Sequence, residues 1–277
     1  NYLAALCWFS PQNVDRTKVS ELLDYYNAYD ASAESNYMSQ NFANTYFDTY
    51  NSQKIGFIRE DIESKFLAHK VNDRERAMVV TSLIYAMDRI SHTCGHYDSF
   101  IRDGKYEGEL ILRMPDNGYE LNVNNHVYCA DSNMIASDES VDVAYLDPPY
   151  NSRQYCDAYH LLENVARWEK PQVFGIAKKM DRTQMKSNYC KSVEAAKALR
   201  DLVLKLNSRY ILLSYNNNGK KLQCRSNAKM TDEEIIEILS LRGDVKVFTM
   251  GYRGFDAGKS EFNKDNQERI FLCSVNK

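Results

Sequence analysis

Two consecutive prolines, Pro148 and Pro149, constrain the fold of this chain more than any other local feature. They follow the apolar run 141–146, which predicts a buried strand, and they end it because proline fixes φ and has no N–H to donate. The stiff turn holds the Asp147 carboxylate, free backbone carbonyls and the Tyr150 ring in one small volume. These groups suit a planar amine. A purely structural turn over a core tyrosine is the alternative, but α/β sheets bind ligands at this end of a strand.

Strand and helix patterns alternate through the second half of the chain. Strands are predicted at His126–Ala130, Val141–Asp147, Tyr210–Tyr215, Asp244–Met250 and Arg269–Val275, and helices at Tyr159–Trp168, Ser192–Leu206 and Thr231–Leu241. Such alternation predicts an α/β fold with an open, mostly parallel sheet flanked by helices.

The first half of the chain has a different pattern. Residues 10–104 are polar, helix-rich and dense in tyrosine, with apolar residues at helical spacing over 19–26 and a second helix expected around 73–91. A β-hairpin is predicted next, because alternating runs at Glu109–Arg113 and Tyr119–Val123 flank an Asn-Gly turn. The chain opens with a helical pattern over residues 1–6 that has no capping residue before it.

Composition excludes several classes of protein. The 277 residues contain no apolar run long enough for a membrane span and no signal peptide. The seven cysteines include no CxxC pair, which favours free thiols in a reducing, cytoplasmic protein. The His92-x-Cys94-x-His96 segment lacks a second ligand pair, so we expect no metal site.

Positive charge is concentrated after the proline turn. The net charge is −3, yet residues 170–229 contain fourteen Lys or Arg against three acids. This local balance of +11 predicts a polyanionic partner such as nucleic acid. The first fifty residues are acidic, with six Asp or Glu against two Lys or Arg, which argues against that stretch as a phosphate clamp.

Several segments together resemble one enzyme family, the DNA adenine-N6 methyltransferases, and within it the branch that accompanies restriction systems. The most specific is the nine-residue run from Asp147 to Tyr155. The others are Tyr159–Glu163, Tyr128–Asp131, Ile211–Asn217 and Met87–Tyr97.

The resemblance implies a Rossmann-like, S-adenosylmethionine-dependent methyltransferase sheet with a mainly helical inserted domain. It implies catalysis by Asp147, Pro148, Pro149 and Tyr150, and S-adenosylmethionine bound by Asp131, Ser132 and Asp147. Relatives often have an apolar residue at the position of Ser132. Asp131 has a structural alternative, since it would also cap a turn over residues 132–135.

Double-stranded DNA is the implied substrate, a cognate restriction endonuclease an implied partner, and no membrane is involved. The candidate DNA-binding residues are Arg153, Tyr155, Lys178, Lys179, Arg182, Lys186, Asn217, Lys220 and Lys221. A solvated loop is the alternative for Lys220 and Lys221, and a core position for Tyr155.

One element that the family requires is not found. The sequence contains no Phe-x-Gly-x-Gly turn for the methionine part of the cofactor and no ribose-binding acid after such a turn. In the family's order both belong before Asn1, so we expect a preceding segment, supplied by the same or a separate chain, or lost. Residues 1–9 would end that catalytic segment, 10–120 would be the target-recognition insert, and 121–277 the catalytic domain.

Other functions stay open at this stage. An RNA adenine or a cytosine-N4 methyltransferase would use similar chemistry, although Asp at the first motif position favours adenine. A catalytically inactive DNA-binding remnant is the alternative from another class.

Overall fold

The structure, a computed structural model, describes residues 1–102, 105–116, 124–216, 228–251 and 267–276. It divides into two compact units. The first contains Asn1–Cys129 and Tyr155–Arg182, and the second contains Ala130–Gln154 and Thr183–Lys277. No helix in the described part of the chain combines the length and the apolar character needed to cross a membrane.

The described elements follow one another as a helical half and a mixed half. They are α1 (Tyr2–Phe9), α2 (Arg16–Ala28), α3 (Tyr37–Phe42), α4 (Thr49–Leu67), α5 (Asp73–Ile90), α6 (Ser132–Ile135), β1 (Ser140–Leu146), α7 (Tyr155–Ala158), α8 (His160–Arg167), α9 (Ala195–Lys205), β2 (Asn207–Asn216), α10 (Asp232–Ser240), β3 (Gly243–Gly251) and β4 (Gln267–Val275).

Helices α1–α5, α7 and α8 form the first unit, so the helix-rich prediction for its residues is confirmed. Helix α5 begins at a capping box in which Asn72 and Glu75 satisfy each other's backbone N–H groups. Its apolar stripe is buried, with Met78, Leu83 and Met87 inaccessible to solvent. Burial of that stripe against the neighbouring helices contributes to the stability of this unit.

The predicted strand Glu109–Arg113 is wrong, and the reason lies in its backbone hydrogen bonds. The segment crosses the helices as an irregular chain. Side chains, rather than a partner strand, bind its N–H groups: Asn51 accepts from Leu110 at 3.1 Å and Asn27 from Leu112 at 2.8 Å. Ser82 accepts from Arg113 at 2.9 Å in the same way. The turn's Asn-Gly pair and the second predicted strand, 119–123, lie outside the described residues.

A buried polar cluster ties α8 into the first unit. His160 is fully buried, and its Nε2 lies 2.7 Å from the Tyr97 carbonyl oxygen and 3.3 Å from the Tyr46 hydroxyl. Because a carbonyl only accepts, Nε2 must carry the proton. Nδ1 is buried and has no hydrogen-bond partner in the described parts of the chain. Burial lowers the pKa of His160 to about 4.

The second unit contains a four-stranded sheet in the order β1-β2-β4-β3. β1 and β2 are parallel, whereas β4 runs antiparallel to both β2 and β3. The α/β class is confirmed, and three of the four described strands, β1, β2 and β3, run in one direction, while β4 makes the sheet mixed. The predicted strand His126–Ala130 is also wrong: this segment is irregular, because no described strand pairs with it.

Helices α9 and α10 pack on one face of this sheet. Ile211, Leu213 and Tyr215 of β2 and Phe271 of β4 alternate along their strands and are buried beneath these helices. The four strands expected downstream of residue 140 are all present, and the three expected helices are confirmed with boundaries shifted by one to three residues. On the opposite face, apolar side chains such as Val143 stay exposed, so the strand over 141–146 is present but the prediction that it is buried is wrong.

We expect the first unit to lose stability as the pH falls from about 6.5 towards 4. His160 has a pKa of about 4 when folded and 6.5 in its reference state, so its neutral form stabilises the fold fully above pH 6.5 and protonation removes that contribution. The wild type should lose about 3 kcal/mol more than His160→Gln, which keeps an N–H donor but does not titrate. Urea unfolding followed by tryptophan fluorescence measures this, because Trp8 and Trp168 both belong to this unit. Equal pH dependence in the two proteins would contradict the role of His160.

Candidate active site in the second unit

The Asp147–Tyr150 turn begins where β1 ends. β1 stops at Leu146, which lies opposite Leu213 of β2, while β2 continues to Asn216. The polar end of β2 therefore extends beside the turn. Asp147 is exposed to solvent and Tyr150 is half-buried. The carboxylate is presented at the carboxyl edge of the sheet, the edge at which α/β sheets bind ligands.

Tyr215 organises the far side of this turn. Its hydroxyl lies 3.3 Å from the Tyr150 carbonyl oxygen and accepts hydrogen bonds from the backbone N–H groups of Lys229 and Met230 at 3.2 and 3.1 Å. Its ring meets the Tyr150 ring edge-on, with centroids 6.2 Å apart. Burial raises the pKa of Tyr215 to about 12, so the hydroxyl keeps its proton. Tyr215 thus couples the motif to β2 and to the start of the segment before α10.

Sequence reasoning missed Tyr215 as a site residue. The segment Ile211–Asn217 carried the family resemblance, and Tyr215 occupies a buried position in its alternating pattern. That signal alone also fits an ordinary core tyrosine. Only the distances to the Tyr150 carbonyl and to the 229–230 backbone distinguish the two.

The loop after the motif is held in place by Gln154. Its side-chain amide donates to the Ser187 carbonyl at 3.1 Å and accepts from the Ser187 N–H at 2.8 Å. The Asn151 side chain accepts from the Arg153 N–H at 2.8 Å, which forms a local turn. Two predicted DNA-binding residues, Arg153 and Lys186, are thereby brought together as exposed neighbours of this pair.

Asp131 caps helix α6. Its Oδ1 accepts from the Asn133 N–H at 2.9 Å, so the structural alternative for this residue is observed, and its side chain remains exposed. Asn133 anchors the short helix, because its amide donates to the Ala198 carbonyl at 2.8 Å and to the Asp201 carboxylate at 2.9 Å. Ser132 is exposed beside them.

The remaining candidates divide into two groups. In the first unit, Lys179 pairs with Asp98 and Arg182 with Asp157, each at 2.6 Å, so both cations are engaged within the protein. Lys178 belongs to a short hairpin, residues 174–179, and Tyr155 stacks on Tyr159, with centroids 6.3 Å apart. Asn217, Lys220 and Lys221 lie outside the described residues.

Comparison with known proteins gives a consistent family. A family model described as D12 class N6 adenine-specific DNA methyltransferase matches residues 11–223. Similar curated proteins include the modification methylase StsI of Streptococcus sanguinis (34% identical over 91% of this chain and 36% of that protein) and the type II methyltransferase M.FokI of Planomicrobium okeanokoites (32%, over 82% and 34%). A third is M.NlaIII of Neisseria lactamica (30%, over 78% and 62%).

No solved structure matches the chain significantly. The chain spans about a third of the length of the StsI and FokI methylases. The family match nevertheless covers most of the 277 residues and includes β1, the Asp147–Tyr150 turn and β2. The chain therefore belongs to the D12 class of N6 adenine-specific DNA methyltransferases.

Proposed function

We propose that this chain is the catalytic part of a site-specific enzyme that transfers a methyl group from S-adenosylmethionine to adenine N6 in duplex DNA. The observation that carries the proposal is the exposed Asp147 carboxylate in a stiff turn at the carboxyl end of β1, within a chain of this family. Its relatives are named modification methylase or type II methyltransferase, which supports a place in a restriction–modification system with a cognate endonuclease.

The turn would act mainly by aligning the nucleophile. Adenine N6 is a poor nucleophile because its lone pair is delocalised into the ring. The Asp147 carboxylate and the Pro148 carbonyl would accept hydrogen bonds from the two N–H groups of this amine. These contacts would draw the nitrogen towards tetrahedral geometry, with its lone pair directed at the methyl carbon. The new N–C bond forms as the S–C bond breaks, and N6 then releases one proton, so no strong base is needed. Alignment contributes up to about 7–11 kcal/mol.

Asp131 fits the adenosine half of the cofactor. S-adenosylmethionine, when bound, supplies an electrophilic methyl group on a sulfonium. The cap contact of Asp131 uses Oδ1, and we assign Oδ2 of this exposed carboxylate to the cofactor's adenine amino group. Ser132 and Asp147 would complete the protein contacts in this chain. The 277 residues contain no Phe-x-Gly-x-Gly turn for the methionine half.

Tyr150 would stack on the target adenine. Its ring is held by the edge-on contact with Tyr215, so stacking would require little further ordering. Stacking of a base on an aromatic ring contributes roughly 1–3 kcal/mol, which offsets part of the few kcal/mol that base flipping costs. In the second unit, Arg153 and Lys186 would bind the DNA backbone through phosphates.

The proposed division of labour follows the chain. Residues 121–277 would be the Rossmann-like catalytic domain, which the parallel β1–β2 pair and the flanking α9 and α10 support. Residues 10–120 would be the inserted domain that recognises the target sequence, and 1–9 the end of a catalytic segment. The compact units differ from this division, since residues 124–129 and 155–182 group with the helical unit.

Tritiated S-adenosylmethionine, incubated with the full-length protein and duplex DNA, tests the proposal. Label on adenine N6 supports it. Label on cytosine N4, or on RNA alone, overturns the assignment of the acceptor. Binding of duplex DNA without binding of the cofactor would identify a catalytically inactive DNA-binding protein.

Replacing Asp147 with Ala should lower kcat at least about a hundredfold while leaving DNA affinity within about threefold, because the lost acceptor acts on the reacting amine. Asp142→Ala is the matched control. Asp142 lies on β1 and forms an exposed ion pair with Arg209 at 3.1 Å, which contributes little. Steady-state methylation and DNA titration measure both variants. Retained activity in the Asp147 variant would refute the alignment mechanism.

Asp131→Ser separates the cap from the proposed cofactor contact. Serine is a good N-cap, so the free energy of unfolding should change by less than about 0.5 kcal/mol. Its shorter side chain withdraws the second acceptor, so S-adenosylmethionine should bind about tenfold more weakly by calorimetry. Asp138→Ser, at a nearby exposed acid, should change neither quantity. Unchanged cofactor affinity in the Asp131 variant would mean that Asp131 only caps α6.

A further inference from the structure

The 174–179 hairpin in the first unit exposes two apolar side chains, Phe174 at its base and Ile176 in its loop. Phe174 and Lys179 pair through two backbone hydrogen bonds of 2.8 and 2.9 Å, which close a four-residue loop. Phe174 is 57% exposed and Ile176 is 68% exposed. Lys178 has a φ of 50°, a left-handed conformation that is uncommon for lysine. The loop is therefore a specific and somewhat strained shape that its surroundings must maintain.

Buried and partly buried contacts maintain that shape. The hydroxyl of Tyr46, a fully buried residue, lies 2.9 Å from the Ala177 carbonyl oxygen inside the loop. The base of the hairpin is fastened by the Lys179–Asp98 ion pair at 2.6 Å. These contacts pre-organise the hairpin, while the Phe174 and Ile176 side chains face water.

The chain that leads into and out of the hairpin carries four cations, and three of them are used as anchors. Lys170 pairs with Glu60 at 3.0 Å, and Lys179 and Arg182 pair with Asp98 and Asp157. Lys178 forms no ion pair within the described residues. The cation at the tip is therefore the one that can meet an external anion.

Two exposed tyrosines, Tyr155 and Tyr159, flank an acid that pairs with a cation just after the hairpin. Arg182, just after the hairpin, binds Asp157 of α7 at 2.6 Å. Asp157 lies between Tyr155 and Tyr159, whose rings stack with an interplanar angle of 28° and are both exposed. The ion pair thus links the segment just after the hairpin to α7, beside the exposed rings of Tyr155 and Tyr159.

We propose that the 174–179 hairpin is an apolar wedge for duplex DNA, in which Ile176, supported by Phe174, inserts between stacked base pairs while Lys178 contacts a phosphate. Apolar side chains of this kind enter base steps in DNA-bending proteins, and the bend gained offsets the unstacking cost. The inference deepens the proposed function, on which it rests, because an enzyme that flips a base must first disrupt the stack.

The size of the tip favours DNA over a protein partner. A stable protein interface buries about 800 Å² on each side, whereas an aromatic side chain buries 150–250 Å² at most. The apolar side chains of Phe174 and Ile176 are of a size to contact one base step, and Lys178 lies beside them where it can contact the adjacent phosphate. The anchored loop would lose little conformational freedom on binding, which retains affinity.

Salt dependence separates the wedge from a phosphate contact. In the full-length protein, Ile176→Ala should weaken duplex binding about tenfold with an unchanged slope of log K against log salt, since an apolar contact releases no counterion. Lys178→Ala should instead lower that slope by about one. Equal affinity in Ile176→Ala and the wild type, with both folded by thermal unfolding, would overturn the proposal.

Tryptophan fluorescence provides an independent measurement. Ile176→Trp should be strongly quenched by duplex DNA, because an inserted indole stacks on bases. Leu67→Trp is the matched control, since Leu67 lies near the end of α4 in the same unit and is 71% exposed. Absence of additional quenching at position 176 while DNA is bound would overturn the wedge.

The outcomes distinguish this inference from the proposed function. If the protein methylates adenine but its Ile176 variants bind DNA normally, only the wedge inference is refuted. Quenching at position 176 without any methyl transfer would remove the enzyme assignment and leave the wedge. A full-length protein that binds no duplex would overturn both.

Discussion

The parallel pairing of β1 with β2 is the constraint on which the candidate site depends. The two strands start in register, but Pro148 and Pro149 stop β1 at Leu146 while β2 runs on. The difference in length leaves the polar end of β2 beside the turn. Tyr215 lies in the part of β2 that extends past β1, and its hydroxyl forms hydrogen bonds with the Tyr150 carbonyl and the 229–230 backbone. The Asp147 carboxylate is thereby presented beside a strand, β2, whose Ile211, Leu213 and Tyr215 are buried in the core.

The first unit satisfies its backbone in a different way. Where the second unit pairs strands, the first lets Asn27, Asn51 and Ser82 bind the backbone of residues 108–113 directly. The buried His160 does the same for the Tyr97 carbonyl, and the single hydroxyl proton of Tyr46 is shared between the carbonyls of Tyr97 and Ala177. Side-chain hydrogen bonds of this kind allow irregular segments to be buried between helices, because every buried polar group still needs a partner. The Tyr46 hydroxyl also contacts the loop of the 174–179 hairpin through the Ala177 carbonyl.

The positive charge counted along the sequence is larger than the charge that stays unpaired in the structure. The run of cations over 170–229 indicated a polyanion, but Lys170, Lys179 and Arg182 form ion pairs with acids from distant parts of the sequence. Charge counted along a chain therefore overstates the charge available to a ligand. Fewer of the described candidate cations are therefore left for the proposed DNA contact: Lys178 in the first unit, and Arg153 and Lys186 in the second.

Much of the fold followed from the sequence because it depends on local physics. Apolar periodicity determined helices such as Asp73–Ile90 and strands such as Ser140–Leu146, and the paired prolines determined where the Asp147–Tyr150 turn begins. Strand pairing and hydrogen-bond partners depend on residues far apart in the chain. Only the tertiary structure therefore decided that Glu109–Arg113 pairs with side chains instead of a strand, that β4 enters the sheet antiparallel, and that Tyr215 belongs to the site.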